Sequence, residues 1–297
     1  MSRSTSRFFR FAVPGASWLD VKLAARMLFK RPGLTLAAVF ALAVGIPVGL
    51  LPQHVLNSST RPLPVEDGQE IVLVRNYDVA ESQPVTRLHD FVQWREALSS
   101  FEDLGMWRSE WYNVRPEGGR TAEVAGSEVT ASVFSLLRVP PLLGRRLDEA
   151  DEVIGAPDVV VIAYDLWQSS LASDPDIVGS TIRIGAVPHT VVGVMPEGFL
   201  FPYQANLWLP FRYDPVGYER GEGPTGRIVG RLADGVSIEE ARHEIEVRGR
   251  RMANQFPDTD ARLQPQVLPY TAALLELDAA DNRMLFAAWQ ILSVLLL

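Results

Sequence analysis

Several residue types are absent from this sequence or nearly so, and each shortage excludes a class of function. None of the 297 residues is cysteine, which excludes disulfide scaffolds, cysteine-ligated zinc, iron–sulfur clusters and cysteine nucleophiles. Lysine occurs only at Lys22 and Lys30. Neither lies in a G-x-x-x-x-G-K-[ST] loop, whose lysine must reach the phosphates of a nucleotide. The sequence therefore excludes an ATPase of the P-loop type.

The sequence also contains no pattern that would build a catalytic or metal centre. Its few histidines form neither an H-E-x-x-H motif nor an H-x₃₋₅-H pair, and there is no G-x-S-x-G nucleophile elbow. The four are His54, His89, His189 and His243. We expect them to be surface or structural residues. We predict no catalytic, cofactor-binding or metal-ligating residue, no cofactor and no enzymatic activity.

Negative charge dominates the chain after residue 31. The formal net charge is −8, yet the first 31 residues carry seven basic residues and one acidic residue, which leaves 21 basic and 35 acidic residues for the rest. Nucleic-acid binding needs a basic surface, so we exclude nucleic acid as a partner. One acidic cluster lacks the alternation and glycine of an EF-hand, and we expect a solvated loop there. It comprises Asp148, Glu149, Asp151 and Glu152.

An uncharged stretch near the N-terminus predicts a membrane anchor. Residues 34–51 read LTLAAVFALAVGIPVGLL, close to the roughly 20 residues with which a helix crosses a hydrocarbon core of about 30 Å. We predict a transmembrane helix over residues 34–52. A cleaved signal peptide and a buried core helix are the alternatives. The long preceding segment and the lack of a small-x-small cleavage site disfavour the signal peptide.

The basic residues on one side of this run set its orientation. By the positive-inside rule the N-terminus is cytoplasmic and the residues from Pro52 onward lie outside. Within the cytoplasmic segment 1–33, Lys22, Arg26 and Lys30 recur every four residues opposite an apolar face. This spacing predicts a basic amphipathic helix on an anionic bilayer surface, with a solvated linker helix as the alternative.

The sequence pattern of residues 64–271 predicts an α+β extracytoplasmic domain. Apolar periodicity predicts strands at 71–74, 121–129, 159–162, 181–184, 190–194 and 228–232, and helices at 88–98, 131–137, 164–171 and 238–255. Thr86 and Thr130 are expected N-caps, and Ser237 to Glu240 forms a capping box. We expect two subdomains, with residues 131–221 inserted into a domain built from the flanking segments. Helices 88–98 and 238–255 should then lie on one sheet.

The C-terminal residues 284–297 read MLFAAWQILSVLLL. As a helix they would span about 21 Å, less than the bilayer core. We expect the start of a second transmembrane helix, truncated by the end of the chain. The alternative is an amphiphilic C-terminal tail.

Several short motifs, taken in order, resemble MacB-type (FtsX-like) ABC transporter permeases. The N-terminal part of the chain resembles the family at residues 26–33, at the apolar run with Gly45 and at RPLP (61–64). The body resembles the family's periplasmic core domain at FSLLRVPPLLG (134–144) followed by Arg145, VVIAYDLW (160–167), DP (174–175) with Gly179, VVGVMPEGFLFP (191–202), LWLP (207–210) and GRLADG (230–235). Each motif is weak alone, but together they extend over residues 20–297. Pro47 and residues 52–54 depart from the family's pattern where the first helix ends.

The resemblance implies a permease subunit in the inner (cytoplasmic) membrane of a bacterium, with its main domain in the periplasm. It implies a separate ABC ATPase subunit as partner, and a homodimer or a periplasmic partner protein. Such permeases have three further membrane helices after the core domain, so the chain is expected to be incomplete. Two other interpretations stay open: a single-span anchored interaction domain or non-transporting remnant, and a membrane-anchored hydrolase, which the missing nucleophile and metal patterns disfavour.

Overall fold

The computed structural model describes residues 33, 65–116, 119–199, 201–202, 205–214 and 216–270. All of these except Gly33 belong to one compact unit, Ser59–Asp278. Among the described residues, no helix is both long and apolar enough to span a bilayer. The predicted cytoplasmic segment 1–33, apart from Gly33, and the predicted membrane segments 34–52 and 284–297 lie outside the described residues.

The described domain is a mixed α/β structure built on one extended sheet. Its strands are β1 (Ile71–Asp78), β2 (Gln83–Val85), β3 (Phe101–Arg115), β4 (Ala122–Val129), β5 (Leu143–Gly144), β6 (Val159–Ile162), β7 (Thr181–Ile184), β8 (Val187–Val194), β9 (Leu207–Pro210), β10 (Arg227–Leu232) and β11 (Leu263–Pro269). Its helices are α1 (Leu88–Ala97), α2 (Ala131–Leu137), α3 (Tyr164–Ser170), α4 (Ile238–Gln255) and α5 (Pro257–Asp260), and a short 3₁₀ turn spans Gly68–Glu70.

The strand order separates the flanking segments from the middle of the chain. It is β11-β1-β10-β3-β4-β9-β6-β8-β5, with β2 beside β1 and β7 beside β3 and β8. Strands from the flanks form one end, strands from residues 131–221 form the other, and the parallel pair β4–β9 joins them. The division into an inserted and a flanking subdomain stays a prediction.

Apolar residues on the two sheet faces form separate cores. Strand β1 is buried on both faces: Ile71 and Leu73 join the cluster under α2, whereas Val72 and Val74 join the cluster under α1 and α4. Phe91 of α1 and Ile245 of α4 lie in this second cluster, so the two helices share one core despite their separation in sequence. A third cluster lies around α3 and the β7–β8 hairpin.

Local sequence signals position most of these elements. Helix α4 begins with the expected capping box: the Ser237 Oγ accepts from the Glu240 N–H (3.3 Å), and the Glu240 carboxylate accepts from the Ser237 N–H (2.8 Å). Glycine is required where β5 meets β8, because a Cβ on Gly193 would lie 2.0 Å from the Arg145 carbonyl oxygen.

The two threonine caps are not formed as expected. Thr130 occupies the N-cap position of α2, but its hydroxyl bonds to the Met106 N–H (2.9 Å) and to Ser132 (2.8 Å) instead of capping the helix. Thr86 lies before the N-cap of α1. That end is held by Asp90, whose carboxylate accepts from the Arg87 N–H at 2.9 Å. In both places the sequence pattern indicated the right helix and the wrong capping group.

Candidate functional site

Both ends of the described domain pack on the same apolar cluster. Val65 at one end and Tyr270 at the other contact the cluster beneath α2. Tyr270 is 2% exposed, its ring stacks on Phe201 with centroids 5.1 Å apart, and its hydroxyl donates to the Pro202 carbonyl. Burial raises the pKa of the Tyr270 hydroxyl, so it stays a hydrogen-bond donor at neutral pH. The first and last described residues of this unit are therefore held by one core.

A buried arginine ties the N-terminal turn to this core. Arg231 of β10 is 0% exposed and points to the α2 face of the sheet. Its guanidinium donates to the Leu136 carbonyl (2.8 Å), the Glu70 carboxylate (3.0 Å) and the Glu66 carbonyl (3.1 Å). A buried charge is tolerated only where such partners satisfy it. Through this one side chain, the turn at 66–70, the end of α2 and a central strand are linked.

A second ion pair extends this linkage to the surface. Arg138, directly after α2, donates to the Glu102 carboxylate at 2.7 Å and lies 4.0 Å from the Asp67 carboxylate. All three side chains are substantially exposed, so the pairs contribute little stability. They nevertheless align α2, the start of β3 and the N-terminal turn. We call Arg231, Glu70, Leu136, Arg138 and Glu102 the junction network.

The acidic cluster differs from the solvated loop that the sequence predicted. Asp151 is buried, and its carboxylate accepts two hydrogen bonds from Arg145 (2.6 and 2.9 Å) and one from the Asp148 N–H (3.0 Å). Burial acts to raise the pKa of Asp151, but these bonds outweigh it and the pKa is lowered. Glu152 accepts from the Ala131 N–H at the start of α2. Asp148 and Glu149 remain exposed, so half of the cluster is structural.

The histidines do not come together. His89 lies on α1, where its Nδ1 has no hydrogen-bond partner among the described residues. His189 lies on β8 with its Nδ1 3.1 Å from the Val187 carbonyl, and partial burial lowers its pKa. His243 lies on the exposed side of α4, and His54 is outside the described residues. In the part of the chain that the structure describes, no group of three or more His, Cys, Asp or Glu residues could hold a metal ion.

Sequence reasoning missed two residues. Arg231 lies in the motif GRLADG, but a strand arginine usually reaches solvent, and its partners lie 95 and 161 residues away. The second residue is Trp111. Its 70% exposure on β3 contrasts with Trp107 and Trp208 at 0%. Residues 104–107 of β3 are all buried and residues 109–111 are all exposed, so strand alternation gives no signal for the exposure of Trp111.

Comparison with known proteins identifies the domain. Residues 35–248 match the family model of the MacB-like periplasmic core domain. A curated relative, "Probable export ATP-binding/permease protein MacB" from Pseudomonas entomophila (strain L48), is 26% identical over 127 residues. That alignment covers 42% of this chain and 19% of the relative, so the chain spans only a small part of that protein.

Two solved structures share the fold. The periplasmic region of MacB from Actinobacillus actinomycetemcomitans superposes with a TM-score of 0.50 at 15% identity, covering 70% of this chain and 92% of that one. The extracellular domain of the noncanonic ABC-type transporter YknZ from Gram-positive bacteria superposes with a TM-score of 0.50 at 11% identity, covering 67% and 99%. With the family match extending over more than half of its length, this chain belongs to the MacB-like periplasmic core domain family of ABC transporter permeases.

Proposed function

We propose that this chain is the permease subunit of an ABC transport system, anchored in the bacterial inner membrane and energised by a separate ATPase. The observation that carries the proposal is the junction network together with the shared core. Val65 and Tyr270 are held by one cluster, and Arg231 fixes the N-terminal turn to α2. A movement applied at either end is thereby passed into the domain as a whole.

The membrane arrangement follows from the sequence. Residues 34–52 form the anchor, segment 1–33 lies on the cytoplasmic surface and residues 64–271 face the periplasm. Residues 284–297 would begin a second transmembrane helix. With both ends of the periplasmic domain attached to membrane helices, ATP-driven helix movement would reach the domain through the junction network. The domain would relay it to a periplasmic partner protein or to a second copy of the chain.

In this proposal the ATPase is a separate subunit, which agrees with the absence of a phosphate-binding loop around either lysine of the given sequence. The chain itself is therefore non-catalytic in this proposal. Its basic segment 1–33, on the cytoplasmic side, would contact such a subunit.

Affinity purification of the tagged chain from membranes of its native host tests this proposal. We expect a P-loop ATPase to copurify stoichiometrically, and ATP hydrolysis to appear only in fractions that contain it. Replacing Arg26 and Lys30 by Glu should weaken the association, while the exposed periplasmic change Arg250→Glu should not. Recovery of the chain without any ATPase would favour the other interpretation, a single-span anchored interaction domain.

A further inference from the structure

Helix α2 is capped by a side chain from a distant loop. The hydroxyl of Thr130, at the N-cap position, bonds to other groups. The first N–H of the helix, that of Ala131, donates instead to the Glu152 carboxylate, 21 residues further along the chain. Because the first N–H groups of a helix have no partner within it, such a carboxylate stabilises the start of the helix. Glu152 therefore connects α2 to the loop of residues 148–158.

This loop is held in place on both sides of Glu152. Before it, the Asp151 carboxylate accepts two hydrogen bonds from Arg145. Arg212 donates to the Asp151 carbonyl (2.9 Å) and, after Glu152, to the Pro157 carbonyl (2.6 Å). It also donates to the carboxylate of residue 158 (2.8 Å). The Glu152 side chain is thus positioned at α2 by a loop that is itself fixed.

Three carboxylates meet around one arginine beside α2. Arg95 of α1 makes two hydrogen bonds to the Asp103 carboxylate of β3, at 2.8 and 3.0 Å, and lies 3.7 Å from the Glu149 carboxylate. These three charged groups, Arg95, Asp103 and Glu149, all face Glu152. The phenol of Tyr213 also faces it, and the seven residues of α2 carry no charged side chain. Glu152 therefore shares Arg95 with two other carboxylates.

The arrangement favours the uncharged form of Glu152. Partial burial raises the pKa of Glu152, and the charges of Glu149 and Asp103 act in the same direction. The Ala131 N–H and Arg95 act to lower it, yet the pKa stays above its ordinary value of 4.5. The pKa of the neighbouring Asp151 is lowered, so this carboxylate remains charged where Glu152 takes up a proton.

We propose that Glu152 is an acid-responsive cap, and that its protonation tightens the hold of loop 148–158 on α2. A protonated carboxyl group keeps a carbonyl oxygen that accepts from the Ala131 N–H, so the cap survives the loss of charge. The repulsion by Glu149 and Asp103 and the cost of a partly buried charge are removed. Because the folded-state pKa is raised, the hold is weaker above this pKa. It strengthens as pH falls through it toward the unfolded value of about 4.3.

The response would reach the junction network through α2. The Leu136 carbonyl, near the end of this helix, accepts from the buried Arg231 guanidinium at 2.8 Å. A more firmly held α2 would therefore make the network more rigid when the surroundings of the domain become acidic. The inference concerns the folded domain itself and does not depend on the proposed transport function.

Hydrogen exchange of the unmodified full chain in lipid nanodiscs, measured by mass spectrometry, tests the proposal. The protection factor divides the intrinsic exchange rate by the observed rate, which removes the direct effect of pH on exchange. For residues 131–137 and 148–158 we expect this factor to rise at least about threefold from about pH 7.5 to about pH 5.5. A factor that stays constant or falls over this range would overturn the proposal, whether or not any variant folds.

Three substitutions assign the response to one carboxylate. Glu152→Gln keeps an acceptor for the Ala131 N–H and removes the titrating charge, so its protection factor should not depend on pH over this range. The matched control Glu239→Gln, at a carboxylate 72% exposed on α4, should keep the rise. His189→Gln should also keep it, because His189 faces Asp158 at the far end of the loop. A rise that persists in Glu152→Gln, or that disappears in His189→Gln, would overturn the proposal.

Discussion

At the scale of single residues, the least predictable feature is the buried charge of Arg231. The strand RIVGRL reads as a buried segment with two arginines, and nothing in its spacing shows that three oxygens from distant segments converge on the second, Arg231. The lack of histidine-pair and nucleophile motifs could be read from the sequence, because such motifs are defined by local spacing. A network assembled by tertiary contacts could not.

Replacement of Arg231 by Met should destabilise the domain strongly. The change leaves the Leu136 and Glu66 carbonyls without their donor and the Glu70 carboxylate without its charge partner. Removing one partner of such a buried pair costs about 3–5 kcal/mol. Urea denaturation of the purified chain in detergent, followed by tryptophan fluorescence, measures this loss in the free energy of unfolding. The control Arg250→Met, at an exposed pair 3.9 Å apart, should change stability by about 0.5 kcal/mol or less.

The Asp151–Arg145 pair should make stability depend on pH in the acidic range. The folded-state pKa of Asp151 is lowered, so its contribution is present above the unfolded pKa, about 3.9, and is lost as pH falls through the folded value. Asp151→Asn should therefore be less stable than the unmodified chain at pH 7, and the difference should shrink toward pH 3. Urea denaturation at several pH values checks this. A difference independent of pH would show that the carboxylate's charge is not what matters.

At the scale of elements, most helices and strands could be predicted because each carries its own signal. The strand 159–162, which is β6, the strand 181–184, which is β7, and the capping box of α4 all lie where the sequence predicted them. The hydrogen bonds that hold α4 against its neighbours could not be predicted. The Glu244 carboxylate accepts from the N–H groups of Ser99 and Ser100, both at 2.9 Å, across some 145 residues of chain.

Helix α4 provides a matched pair of substitutions. Ile245 is 0% exposed in the cluster that it shares with Phe91, so Ile245→Asp puts an unpaired charge into the core at a cost of several kcal/mol, about 4 or more. We expect loss of the cooperative unfolding transition. Glu239→Asp, on the exposed face of the first turn, should be tolerated within about 0.5 kcal/mol. Thermal melting followed by circular dichroism measures the unfolding transition of both variants. A folded Ile245→Asp variant would place α4 outside the core.

At the scale of the whole molecule, apolar periodicity predicted a domain of mixed helices and strands, as the structure has it. Motifs in order predicted the family, and the family match confirms it. The sheet order could not be predicted, because short apolar runs specify strands without specifying their neighbours. The parallel pair β4–β9 and the pairing of β7 with β3 are examples, since no local pattern encodes either of them.

The orientation in the membrane is the central claim, and the lack of cysteine makes it directly measurable. A single cysteine is introduced either in the periplasmic core domain, Glu239→Cys, whose side chain is 72% exposed, or in the N-terminal segment proposed to be cytoplasmic, Ser4→Cys. Intact cells with a permeabilised outer membrane are treated with a membrane-impermeant maleimide. The account predicts labelling of Glu239→Cys in these cells, and of Ser4→Cys only after the inner membrane is lysed. Labelling of Ser4→Cys with protection of Glu239→Cys would contradict it.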